Sequence, residues 1–148
     1  MKFMDIAIKE AINAAKHGEI PVGCVITKNG KVIASSHNTV VRENNSTCHA
    51  ELNAINEAIK AVESKELNEC DMYVTLEPCP MCAGAIINSK IKRLYIGAME
   101  PKSGCFGSKA DFNKLGFNHK PEVYYGIREE QCKKLMTDFF EKIRIRQT

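Results

Sequence analysis

The chain has 148 residues, 44% of them hydrophobic, with a formal net charge of +3, which fits one globular domain expected over residues 1–148. No apolar run approaches the roughly 20 residues of a bilayer span, and Lys2, Asp5, Lys9, Glu10 and Lys16 break up the N-terminus, which argues against a membrane protein or a secretory leader. Seven cysteines, an odd number, fit poorly with a disulfide-stapled secreted domain, so the expected location is cytoplasmic.

In chain order, Phe3, Met4, Ile6, Ala7, Ile8, Ala11, Ile12, Ala14 and Ala15 recur near a 3.6-residue period, predicting an amphipathic helix that ends near Gly18. The apolar run Val22 to Ile26 leads into Asn29-Gly30, a hairpin signal, and then Val32-Ile33-Ala34. Strands are expected at about 22–27 and 31–38, antiparallel to each other. Thr47 is the expected N-cap of a helix over about 48–62, with Leu52, Ile55, Ala58, Ile59 and Val62 on its buried side.

Met72 to Leu76 reads as a strand. Pro80 suits the first position of the next helix, where its missing N–H costs nothing. Ile91 to Gly97 and Glu122 to Tyr125 read as two further strands. Glu129 to Arg144 reads as a C-terminal helix carrying Leu135, Met136, Phe139, Phe140 and Ile143. The stretch from Pro101 to Gly116 is loop-rich. This order implies a three-layer α/β/α domain with helices on both faces of a central sheet, the later strands parallel through right-handed crossovers.

Charge is unevenly placed. Residues 1–74 hold eight basic and ten acidic side chains (−2), whereas residues 75–148 hold thirteen and eight (+5). A basic C-terminal end suits a phosphate-rich partner, although by itself it also fits a solvated helix face.

Two short segments carry the chemistry: His49-Ala50-Glu51, and Pro78-Cys79-Pro80-Met81-Cys82 some thirty residues later. Each falls at a predicted strand-to-helix junction, where ligands of open α/β sheets collect. Cys79 and Cys82 are spaced so that one helix start can present both sulfurs to one metal, and the positive helix end favours thiolate. His49 supplies a third ligand. Structural zinc sites close with four protein ligands, whereas catalytic sites stop at three. Two thiolates neutralise the metal charge and weaken its activation of water, so a nearby base is needed; Glu51 is the candidate.

Residues two apart on a helix do not share a face. The expectation is therefore specific: both segments lie in first turns, and those two helix ends converge. A redox Cys-x-x-Cys would not need His49 or Glu51. A structural site would need a fourth ligand, for which Cys48 or His119 could be proposed. Cys24 is expected in the core.

This His-x-Glu followed by Pro-Cys-x-x-Cys resembles the zinc deaminases of the cytidine-deaminase superfamily. Within it the chain is similar to the bacterial tRNA-specific adenosine deaminases nearly end to end: Gly18 to Gly23, Asn38, Thr75 to Ile86, Lys102 to Cys105, Phe117-Asn118-His119 and Phe139-Phe140. The resemblance implies a cytidine-deaminase-like fold with a mixed five-stranded sheet. It implies one Zn2+ per subunit held by His49, Cys79 and Cys82, with Glu51 as proton shuttle and Asn38 on the flipped base. It further implies a homodimer that converts adenosine to inosine at the wobble position of a tRNA anticodon stem-loop.

The chain departs from the pattern at Asn45-Ser46-Thr47-Cys48 and at Glu100, where members usually carry Asp, in the loop expected to meet the nucleotide. The alternatives are a deaminase of a free nucleobase or nucleoside, of guanine or cytosine type, and a zinc-stabilised RNA-binding module without activity.

Overall fold

The computed structural model describes residues 2–147. Helix α1 (Lys2–Lys16) buries Met4, Ala7, Ala11 and Ala14, the three-and-four spacing of one helical face. Strands β1 (Gly23–Lys28) and β2 (Lys31–His37) form the hairpin around Asn29 and Gly30, whose φ angles of 52° and 74° are those of a tight primed turn. Next come α2 (Val40–Glu43), α3 (Ala50–Val62), β3 (Cys70–Leu76), α4 (Pro80–Asn88) and β4 (Arg93–Ala98). A short 3-10 turn (Phe112–Lys114), β5 (Glu122–Tyr124) and α5 (Glu129–Gln147) complete the chain.

The strands form one sheet in the order β2-β1-β3-β4-β5. β1 runs antiparallel to β2 and β3, whereas β3, β4 and β5 run parallel. The sheet is thus the mixed, five-stranded one implied by the resemblance. Side-chain alternation splits its two faces. Cys24, Ile26, Met72, Val74, Leu94 and Ile96 pack with the α3 and α4 residues Ala54, Ala58, Ala83 and Ile86. Val25 faces the other way, onto Met4 and Ala7 of α1 and Cys132 of α5. Both faces are therefore covered, which makes three layers.

Small residues set how closely α1 sits on the sheet. A Cβ at Gly23 would lie 1.8 Å from the Ala7 carbonyl oxygen, so only glycine lets the helix rest on β1. Arg128, just before α5, reaches Asp5 of α1 at 3.0 Å.

The structure departs locally from the expected elements. Helix α3 starts at Ala50 with His49 as its N-cap residue, not Thr47. The Thr47 hydroxyl is turned to Asn45 Oδ1 at 2.7 Å, in a local turn that follows the left-handed Asn44. β3 begins two residues earlier than expected, at Cys70, and α5 runs on to Gln147. The four-residue α2 was not anticipated; it depends on a distant carboxylate, described below.

Candidate active site

The site forms where α3 and α4 begin. His49 and Cys79 are both N-cap residues with extended backbones, at φ, ψ of −73°, 154° and −75°, 174°. Pro80 fixes the first helical position after Cys79, and Cys82 and Glu51 fall in the first turns of α4 and α3. The two helix ends converge as the spacing required. His49 Nδ1 lies 3.5 Å from Cys79 Sγ and 3.7 Å from Cys82 Sγ. Ligand atoms of these three residues all fall within 4.8 Å of one another.

Two sulfurs and one imidazole at the mouths of two helices are the donor set that zinc prefers, and both helix dipoles favour thiolate there. Among the described residues, no fourth His, Cys, Asp or Glu joins the group. His119, a candidate fourth ligand under the structural reading, instead bonds the Ile91 carbonyl oxygen through Nε2 at 2.6 Å. Cys48, the other candidate, is half-buried beside the site but also lies outside the group.

Electrostatics separate the two thiols. The hydrogen bond with the Cys82 thiol, ahead of the contact with His49, pulls Cys79 down to about 4. The same contact, together with burial, pushes Cys82 up. The contact with Cys79 raises His49. Glu51 is only 4% exposed, and burial pushes its carboxyl up to about 7. A carboxyl near neutrality can both take and return a proton.

A cavity of about 450 Å³ opens over this group, lined by Asn38, His49, Glu51, Cys79, Glu100 and Ser103 among others. That volume is in the range of small-molecule sites. Asn38, immediately after β2, accepts the Ala50 N–H through Oδ1 at 2.7 Å. With its oxygen committed to the start of α3, the group it can offer to the cavity is the Nδ2 donor. Of the expected site residues, Asn38, His49, Glu51 and Cys79 line this cavity, whereas Cys82 is fully buried behind it in contact with His49.

Two further carboxylates shape the walls, and neither was assigned a role from the sequence. Glu19 is buried and accepts the Val41 and Arg42 N–H groups, both at 2.9 Å, which holds α2 at the cavity edge. Glu77 is likewise buried, also lines the cavity, and gathers the loop after β4. Their neighbours in sequence gave no signal, because every donor they engage lies 22 or more residues away.

Two thiols and an imidazole able to hold one cation, beside a buried carboxyl in a three-layer domain, are the arrangement of a zinc-dependent hydrolytic deaminase. Residues 1–98 match the cytidine and deoxycytidylate deaminase zinc-binding region. The chain is 49% identical over 144 residues to the tRNA-specific adenosine deaminase of Rickettsia typhi, covering 95% of this chain and 97% of that protein. It is 43% identical to the protein of the same name from Bacillus subtilis, covering 96% of this chain and 89% of that one. A solved structure from studies of A-to-I editing by tRNA:A34 deaminases superimposes with a TM-score of 0.88 at 41% identity, covering 90% of this chain and 98% of that one. The chain belongs to the cytidine and deoxycytidylate deaminase family, and within it to the tRNA-specific adenosine deaminases.

Proposed function

We propose that this chain deaminates adenosine to inosine at the wobble position of a tRNA anticodon, with His49, Cys79 and Cys82 holding one zinc ion and Glu51 moving the protons. The single observation that carries this reading is the placement of a three-ligand group and a buried carboxyl in one cavity. Zinc held by His49, Cys79 and Cys82 would supply Lewis acidity, making water acidic enough to serve as the nucleophile toward the amine-bearing carbon of the base. Glu51 accepts the first proton released from water and delivers it to the ring nitrogen, then takes the proton of the hydroxyl added to the carbon and passes it to the departing ammonia. Burial suits it to that exchange, because its carboxyl sits near neutrality. Asn38 donates from Nδ2 to an acceptor on the base and, through Oδ1, fixes the start of the helix that carries Glu51.

The basic C-terminal helix supports an RNA substrate. Met136 and Phe140 of α5 line the cavity, and the exposed Lys142, Arg144 and Arg146 follow on the same helix. Phosphate contacts there would position the anticodon loop without reading its sequence. The resemblance to the family supports a homodimer and a cytoplasmic location. No helix among the described residues is long and apolar enough to cross a membrane.

Ammonia release from an anticodon stem-loop and from a panel of free bases and nucleosides tests the reading. Release from the stem-loop alone supports it. Turnover of free guanine or cytosine with none of the stem-loop would overturn it. Light scattering on the purified chain checks the dimer, which a mass of one chain would contradict.

A further inference from the structure

Glu77 stands two residues before Cys79, outside the proton-moving machinery, and is 2% exposed. A carboxylate buried this deeply is costly unless its lone pairs are filled. They are filled by one loop. Oε1 accepts the Glu100 N–H at 2.9 Å and the Ser108 hydroxyl at 2.5 Å, while Oε2 accepts the Phe106 and Ser108 N–H groups at 3.0 Å each. The loop packs so closely that a Cβ at Gly104 would meet the Glu77 carboxylate at 2.2 Å. The chain next to Glu77 joins in, since Pro78 accepts the Cys105 N–H at 2.9 Å.

The same loop carries Glu100 and Ser103, which line the cavity over the cation ligands. Glu77 is thus the hub through which the Cys79 turn and one wall of the substrate cavity are held in register. Hydrogen bonds from four donors to a charged acceptor, shielded from water, are of the stronger kind.

We infer that Glu77 is a positioning residue: it sets the 100–108 loop so that Glu100 and Ser103 meet the substrate nucleotide, and it acts on binding rather than on proton transfer. This rests on the deaminase reading above and adds to it the residue that fixes the nucleotide-facing wall. Either orientation of a glutamine at this position would turn an NH2 group toward donors of the loop, so Glu77→Gln loosens the wall at nearly constant volume.

The test compares the parent, Glu77→Gln and Ser108→Ala for zinc per chain, amide hydrogen exchange of the loop, and kcat and KM on an anticodon stem-loop. The expected result for Glu77→Gln is one zinc per chain, faster exchange at Phe106 and Ser108, and KM raised about tenfold with kcat reduced less than about threefold. Ser108→Ala, remote from the cation ligands in sequence, should raise KM about threefold in the same direction. It decides the matter if Glu77→Gln loses zinc or fails to fold. A fall in kcat at constant KM, or faster loop exchange with unchanged KM, overturns the role. A parent that converts no stem-loop overturns the deaminase reading instead, so the two failures are told apart.

Discussion

His49 and Cys79 hold the same position in two different helices: each caps the N-terminus of its own helix, with Nδ1 and Sγ 3.5 Å apart. Caps are normally supplied by short oxygen-bearing side chains that bond the first free N–H groups. Neither His49 nor Cys79 makes such a bond. Both side chains instead meet at a shared centre, where the Cys79 sulfur also lies against the Cys82 N–H and thiol of its own first turn.

Glu51→Gln should leave zinc content and stem-loop binding near those of the parent while turnover falls about 10³-fold, because the amide cannot exchange the proton. Ammonia release beside a binding isotherm separates the two effects. A variant as fast as its parent would remove Glu51 from the reaction.

Zinc removal should destabilise the fold as well as stop turnover. A ligand that binds only the native state adds about 4 kcal/mol at a thousandfold excess over its dissociation constant, equivalent to about 10 °C in Tm for a chain of this size. Calorimetry with and without a chelator checks this, and added zinc should restore the higher Tm. Cys82→Ala should behave like the chelated parent and not respond to zinc.

Gly23→Ala tests the packing of α1 on the sheet. Its Cβ would lie 1.8 Å from the Ala7 carbonyl oxygen, so backbone must move. The expected loss is about 2–3 kcal/mol, read from the denaturant midpoint at unchanged m-value.

Burial pushes the Cys132 thiol up to about 12 from its ordinary 9.0. The folded chain then holds this proton more tightly than the unfolded chain does, so the contribution is whole below pH 9 and is lost as pH rises toward 12. Unfolding free energy should therefore fall with pH above 9. Cys132→Ser, which does not titrate there, should show a shallower fall; an identical slope would contradict the assignment.

Replacing Lys142, Arg144 and Arg146 by alanine should weaken stem-loop binding and reduce the slope of log K against log salt by about 2. An unchanged slope would return these residues to a solvated helix face.

What could be read from the sequence was what local chemistry encodes. Asn29-Gly30 located the hairpin, Pro80 located the start of α4, and the two-residue step from His49 to Glu51 required the two helix ends to converge, as they do. What escaped depended on distant partners. Thr47 looked like an N-cap, but its hydroxyl closes a turn with Asn45 and leaves the cap position to His49. Val40 to Glu43 has two β-branched residues and no helical signal; it turns because Glu19, some twenty residues away, receives its free N–H groups. Glu77 reads as an ordinary acidic residue until the fold brings the 100–108 loop around it.

The most direct test is mass analysis of an anticodon stem-loop with adenosine at the wobble position, incubated with the zinc-loaded chain. The account predicts conversion of that one adenosine to inosine, abolished by a chelator and by Glu51→Gln. An unaltered stem-loop, with the zinc in place and a free base deaminated instead, would contradict it.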